Sequence, residues 1–512
     1  MRKIIVGTSV SLIIIFVGIL IFLTTIGIKT NKFNNLINEK ISQINSKIKL
    51  DLNDVNFKLK LPNLKFEVIT SEPVISVNDK KIDLENINFD IKIFEYLKNE
   101  NPISQISIET KENNIDQLVN FINEYKFNIA RNLILKQIKK GKVKIYSKII
   151  FDQNKSDNLK YFINGSVNEA EVKLFNKLEA NKINFDFQIE QNAISLNQIE
   201  LLFDKIFISS DEININKTSN QFEINGKFKT KKTKINLNNY TNIIDKRLVF
   251  LKDQQINMSS DNLLSFKINN KFKINDVKID SKLKFDELFT KSIYQDLIYL
   301  KNGDVEINYS NKELKIGLDS KFLFKNEKYN NNDSNNLFKL FYKKIENSNA
   351  KVDIKLSNTK NKIDYKEFKK FVSFKNFSLP NQEITITSNN NIKFELNKSN
   401  KIKNLKIKSK INTVDILIDY KSKRIKKYFS NFKNQVKLFK SDFEIDYSKN
   451  NLDIGLKSKY SINDINENII LNVRKKDNNF SFDLDVDLDS AVIFIDELEY
   501  IKNKDIKSNL YL

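Results

Sequence analysis

Beyond residue 47, apolar and polar side chains alternate with a period of two through most of the chain, and this rhythm limits what the chain can fold into. In KIKLDLNDVNFKLKLPNLKFEVI, residues 47–69, Ile48, Leu50 and Leu52 alternate with Lys47, Lys49 and Asp51. Val55, Phe57, Leu59 and Leu61 alternate with Asn56, Lys58 and Lys60, and the beat restarts after Pro62 with Leu64, Phe66 and Val68. Residues 82–94 repeat the pattern, with Ile87, Phe89, Ile91 and Ile93 on one face. It returns at 142–151, 181–190, 304–318, 401–411 and 480–490. Successive side chains of a strand point to opposite faces, so sustained alternation predicts half-buried antiparallel strands with one apolar face. Turn signals are mostly Asn-rich, because the chain holds only nine Gly and four Pro.

An apolar face must be covered. A sandwich covers it with a second sheet and a barrel closes on itself, but both ordinarily use more Gly and Pro at their corners. A long curved sheet lining a groove is the third solution, and the groove then holds something extended and hydrophobic, such as acyl chains. Alternation alone does not separate a filled face from an open one.

Ile4 to Ile28 contains no charged residue. This stretch, with Ile4, Ile13, Phe16 and Ile28 along it, is long enough to cross a bilayer with some tilt. Arg2 and Lys3 precede it, which favours a cytoplasmic N-terminus. The sequence TTIGIKTNKF that closes it offers no good cleavage site, so an uncleaved anchor over residues 1–29 is expected. No second long apolar run follows. The remaining chain divides into a β-region at 30–324, an Asn-rich loop at 325–336 and a continuing β-region at 337–512. Helices are expected at Ile115–Ile122, capped by Asn113 or Asn114, at 286–300 and at 422–439. YFINGSVNEAEVKL at 161–174 echoes QFEINGKFKTKKTKI at 221–235, each read as strand, Asn-Gly turn or bulge, and strand.

The 512 residues include no Cys, His or Trp. Disulfides, zinc sites of the usual donors, Cys nucleophiles and Ser-His-Asp triads are thereby excluded. No Gly-rich phosphate loop exists, and no cofactor or catalytic site is expected. Asp483, Asp485, Asp487 and Asp489 resemble the start of a calcium loop. Ser490 and Asp496 stand where Gly and Glu are needed, so a charged strand face is the simpler reading. The net charge of +22 comes from Lys interleaved with Asp and Glu. It reads as a solvated basic surface and not as a nucleic-acid footprint. The basic run 421–428 could meet anionic headgroups or simply be the wet face of a helix.

Behind the apolar stretch, KIKLDLNDVNFKLKL at 47–61, LENINFDIKIFEYLKNENPISQISIET at 84–110 and LILKQIKKGKVKIYSK at 133–148 resemble, in order, the strand patterns of the AsmA-like family of envelope proteins. The closing stretch 485–512 is similar to that family's YhdP branch through Ala491, Ile493, Ile495, Tyr500 and Lys502. The branch's Pro, Trp and Gly are absent there, and Phe94–Asn101 lacks the family's usual turn Gly. The resemblance implies a mainly β fold: one transmembrane helix, then a long curved antiparallel sheet forming a taco-like groove. It further implies inner-membrane attachment, a periplasmic body, and transport of phospholipid or another lipid towards the outer membrane, with envelope partner proteins and without catalysis. On that reading Ile48, Leu50, Leu52, Val55, Phe57, Leu59, Leu61, Ile87, Phe89, Ile91 and Ile93 are candidate groove residues. The competing readings are a membrane-anchored scaffold, with filled β-sandwiches that bind proteins, and a surface protein of a cell without an outer membrane.

Overall fold

The computed structural model describes residues 2–31, 34–35, 37–38, 46–53, 55–98, 103–125, 137–151, 159–173, 179–218, 220–236, 255–269, 273–289, 298–324, 335–364, 380, 382–419, 427–429, 432, 435–461 and 466–512, with backbone alone for 2–10, 96, 125, 159, 289 and 298. After an N-terminal helix, Arg2–Thr25, come β1 (Ile28–Thr30), β2 (Ile48–Asp51), β3 (Val55–Lys60), β4 (Lys65–Ser71), β5 (Val74–Val77) and β6 (Lys80–Lys92). A short helix, Ile93–Leu97, leads to β7 (Ile103–Thr110) and β8 (Asn113–Asn114), and a longer helix, Ile115–Tyr125, follows. Then come β9 (Ile138–Phe151), β10 (Leu159–Lys173), β11 (Glu179–Ile189), β12 (Ala193–Phe203), β13 (Ile206–Lys217), β14 (Gln221–Asn236), β15 (Gln255–Asn269) and β16 (Ile274–Phe289). They are followed by β17 (Ile298–Ser310), β18 (Glu313–Phe324), β19 (Leu337–Ile345), β20 (Ala350–Asp364), β21 (Glu383–Leu396) and β22 (Ile402–Asp419). The last are β23 (Gln435–Ser448), β24 (Asn451–Ser461), β25 (Glu467–Lys476), β26 (Asn479–Asp487), β27 (Ile493–Ile495), β28 (Tyr500–Lys502) and β29 (Asn509–Tyr511). The protein is mainly β and dominated by one large antiparallel sheet, with β27 and β28 as a separate ladder.

Two compact units are present, Met1–Lys231 with Leu263–Val277, and Lys232–Asn262 with Lys278–Leu512. The division does not fall at the Asn-rich stretch 325–336, of which 325–334 lies outside the described residues. In the first unit β1, β3, β4, β6, β7 and β9 pair in that order, and β9 to β14 then form a meander. β2 and β5 make a side ladder on the first half of β6. In the second unit β16 to β26 pair strand to next strand. Residues beyond β26 turn back, and β29 pairs with Asp485–Asp487.

The N-terminal helix stops earlier than residue 29. Gly27, at φ +75, turns the chain out, and its N–H bonds the Phe22 carbonyl at 3.0 Å. A Cβ there would sit 2.4 Å from the Phe57 carbonyl. Ile28 is therefore the first residue of β1, opposite Phe57, and not part of the helix. Ile13 and Phe16 are each 61 % exposed, and Leu12, Ile19 and Phe22 are exposed with them. The side chain of Ile4 lies outside the described residues. Among the described residues, no helix is long and apolar enough to cross a membrane. Side chains are described only from Ser11 on, while the helical backbone runs from Arg2.

The helix at 115 forms as expected. Gln117 Oε1 accepts the Asn114 N–H at 3.1 Å, while Asn113 turns away to bond the Asp83 backbone. The expected helices at 286–300 and 422–439 are corrected at their ends. Residues 286–289 end β16, 298–300 open β17 and 435–439 open β23, so the apolar spacing there serves period two, while Lys427 and Tyr428 are helical. Residues 290–297 and most of 422–434 lie outside the described residues. Asn164-Gly165 and Asn225-Gly226 are likewise not turns. Both glycines sit mid-strand, Gly165 opposite Phe187 and Gly226 opposite Ile213, where Gly226 borders a break in register with β13.

A second internal repeat is far stronger than that echo. Residues 305–322 (VEINYSNKELKIGLDSKF) align without a gap on 443–460 (FEIDYSKNNLDIGLKSKY), and 255–289 align on 383–417. Local geometry follows the alignment. Asn302 and Lys440 both sit in the left-handed region beside a bulge, at φ 51 and 48. Across those bulges Ser320 Oγ donates to the Lys301 carbonyl at 3.0 Å and Ser458 Oγ to the Phe439 carbonyl at 3.2 Å. The hairpins match too: Asn269 Oδ1 accepts the Lys273 N–H at 3.0 Å, and Asn397 Oδ1 the Lys401 N–H at 2.9 Å.

Candidate functional site

The residues expected to line a groove near the N-terminal helix form a filled core instead. Pairing brings them into transverse rows, Val55–Thr70–Ile87–Ile108, Phe57–Val68–Phe89–Ile106 and Leu59–Phe66–Ile91. Leu50, Val55, Leu59, Ile87 and Phe89 are buried, with Val55 fully sealed. Leu52, Phe57 and Ile91 pack half-buried against them, as do Leu118 and Phe121 of the helix Ile115–Tyr125. The β2–β5 ladder, where Ile48 faces Val77 and Leu50 faces Ile75, lies beside the same core. Leu61 is exposed in a short 3-10 turn, and Ile93 begins a helix. Sequence alternation could not register this, because the covering helix and ladder come from other parts of the chain.

The second unit differs. Leu283, Val305, Leu318, Leu340, Ile354 and Ile392 are successive cross-strand partners from β16 to β21. The row continues through Ile407, Tyr447 and Leu452 on β22 to β24. Every one of these nine side chains is half-buried and none is buried. A parallel row runs from Ile307 through Ile316, Tyr342 and Val352 to Phe394, and only Val352 in it is buried. Such residues touch their neighbours on the sheet, and among the described residues no full layer covers them. At one end the same face is closed, where Ile384, Ile416, Leu438, Leu456 and Tyr460 pack with Leu488 and Ala491. At the outer strand it runs out to Phe480 and Phe482, 67 % and 60 % exposed.

The opposite face is wet and charged. Lys410 meets Glu444 at 2.8 Å, Lys408 meets Asp446 at 2.9 Å and Lys284 meets Asp304 at 3.6 Å. The Lys410 hydrogen bond holds the Glu444 carboxyl below the usual carboxylate range and, reciprocally, raises Lys410. Lys427 of the basic run pairs with Glu497. Asp483, Asp485 and Asp487 lie on strand β26, and Asp489 accepts the Ser508 N–H at 2.7 Å. No cluster among the described residues is arranged to hold a metal ion.

Covering an apolar face of this kind is favourable. Finishing the burial of a half-buried Leu, Ile or Val contributes about 1 kcal/mol. The eight aliphatic members of the row then offer on the order of 8 kcal/mol, from which the costs of association are subtracted. Sequence reading missed these rows because it placed the site directly behind the apolar N-terminal stretch, where the family resemblance begins. The signal available was the duplicated IGLDSKF and IGLKSKY, at 316–322 and 454–460.

Comparison with known protein families, characterised proteins and solved structures finds no match to this chain.

Proposed function

We propose that this protein is a non-enzymatic lipid handler whose second unit shields acyl chains on its open apolar sheet face. The observation that carries the reading is the nine-strand row from Leu283 to Leu452, apolar at each position and half-buried throughout. Acyl chains are long, flexible and apolar, and such a row accommodates them without demanding one shape. The N-terminal helix supports a membrane location. Its described apolar side chains are open to the surroundings, which in water would be unfavourable and in a bilayer would be satisfied. Taken with the resemblance to AsmA-like proteins, this gives an inner-membrane anchor with a cytoplasmic N-terminus, a periplasmic body, and phospholipid carried towards the outer membrane.

One observation favours the scaffold reading for part of the chain. The first unit has a sealed core around Val55 and Val68, so lipid contact is assigned to the second unit alone. Native mass spectrometry of the detergent-extracted full chain tests the proposal. Bound phospholipid is expected, and protein free of lipid under gentle extraction would refute it.

A further inference from the structure

The open apolar face of the second unit is interrupted by an uncharged polar island. In β20 to β22, Leu356, Asn390 and Ser409 are successive partners, as are Asn358, Ser388 and Ile411, and then Asn361, Ile386 and Thr413. These three rows lie beside one another on the face that carries Ile354, Ile392 and Ile407. Their polar groups are linked. Ser388 Oγ donates to Asn358 Oδ1, Ser409 Oγ donates to Asn390 Oδ1, and Asn390 Nδ2 donates to Ser388 Oγ at 2.8 Å. Asn358 Nδ2 also donates to the Ile386 carbonyl at 2.8 Å.

Satisfying the bulge at Asn358–Asn361 explains part of this chain, but two members are left over. Asn336 is 1 % exposed and Thr413 is 7 % exposed, and Nδ2 and Oδ1 of the first and Oγ1 of the second have no hydrogen-bond partner among the described residues. Asn336 sits one register position beyond the Leu337–Ser357 pair, alongside Asn358. An unpaired buried amide costs about 1–3 kcal/mol, so these groups are expensive unless something meets them. The repeat sharpens the point. Asn336 precedes β19 as Glu467 opens β25, opposite Phe322 and Tyr460 respectively. Glu467 is met by the Tyr460 hydroxyl and the Ser490 N–H, whereas Phe322 offers no hydroxyl.

We infer that this island is the seat for the uncharged polar segment of a bound lipid, its ester carbonyls, with the acyl chains on the flanking rows. The island carries amides and hydroxyls and no charge, so it suits a carbonyl and not a phosphate. Half-buried Ser388 and Asn390 form its accessible rim. This rests on the lipid reading proposed above.

The test loads the full-length protein in detergent with dioleoyl phosphatidylglycerol or with its di-ether analogue, which lacks only the carbonyls, and compares retention by native mass spectrometry. The ester lipid should be retained about fivefold better, the ratio expected from one recovered hydrogen bond. Asn336→Leu and Thr413→Val should bring the two lipids to near parity. Both replacements remove unpaired buried polar groups, so the melting temperature should hold or rise. Equal retention of ester and ether by the unaltered protein, or an ester preference that survives both substitutions, overturns the island. Retention of neither lipid overturns the lipid reading itself.

Discussion

The Tyr460 hydroxyl donates to the Glu467 carboxylate at 2.9 Å and lies 2.5 Å from the Asp487 carbonyl. The second Glu467 oxygen accepts the Ser490 N–H at 2.5 Å, which ties the segment after β26 to the edge of β25. Burial, and then the Glu467 hydrogen bond, push the phenol well above its ordinary value of 10.0. Glu467→Ala strands the Ser490 N–H and leaves the Tyr460 hydroxyl only the Asp487 carbonyl, and should cost about 1–3 kcal/mol. Tyr460→Phe leaves the Ser490 contact in place and should cost about 0.5–1.5 kcal/mol. Urea midpoints and hydrogen exchange at residues 488–510 report both, and equal effects would contradict this ordering.

Glycines in the sheet divide into two kinds. A Cβ on Gly165 would lie 2.4 Å from Phe187 Cζ and from the Lys144 carbonyl, and one on Gly303 would lie 2.0 Å from the Phe285 ring. An aromatic ring lies over each, which is a known device for stabilising a strand glycine. Gly317 has nothing within 4 Å of such an atom. Gly165→Ala and Gly303→Ala should therefore destabilise by about 1–3 kcal/mol, the usual cost of overpacking. Gly317→Ala should be neutral or stabilise by up to about 1 kcal/mol, through lost chain entropy alone. Thermal melts of the three variants decide it.

A second contrast separates filled from open apolar surface. Leu50→Ala and Val55→Ala empty space in a sealed core, and Leu50→Ala should cost about 2–5 kcal/mol. Leu318→Asp and Ile354→Asp place a charge where side chains are only half-buried. These should cost less than the Leu50 change and leave circular dichroism intact, while bound lipid is lost. Loss of fold in the Ile354→Asp protein would mean that the face is a closed core.

Much of this architecture is legible in the sequence, and the failures share a cause. Period two at Val55, Phe57 and Leu59 announced β3 correctly, and Leu118, Val119 and Ile122 announced the helix at 115. Phe429, Phe432, Val436 and Phe439 mimic helical spacing, yet Val436 and Leu438 flank Lys437 as neighbours in β23 do. Short apolar runs satisfy both periods, and tertiary pairing decides between them. Which face is covered is not local information at all. Val55 and Leu318 have the same alternating neighbours, but among the described residues only Val55 has a helix and a side ladder packed nearby. The duplication was visible in principle, though the spacing between copies changes from one aligned block to the next.

Stability should be flat near neutrality and fall on both sides. Hydrogen bonds from Lys144 and Lys410 hold Glu109 and Glu444 below the ordinary 4.5, so their contribution is present above 4.5 and is lost as pH falls through the lower folded values. The same bonds hold Lys144 and Lys410 above the ordinary 10.5, a contribution present below 10.5 and lost as pH rises further. The raised Tyr460 acts in the same alkaline direction. These ion pairs are exposed, so each contributes little and less in high salt. The melting temperature should be level between about pH 5 and about pH 10. A steep change near pH 7 would contradict the balance described, as the chain has no His.

Neighbouring residues on β20 give the most direct test of the lipid-facing surface. Ile354 lies in the open apolar row and Lys355 on the charged face. A photo-reactive benzoylphenylalanine at each position, irradiated in native membranes, reports what touches each face. A lipid adduct is expected at 354 and none at 355. A protein crosslink at 354 with no lipid adduct would contradict this expectation.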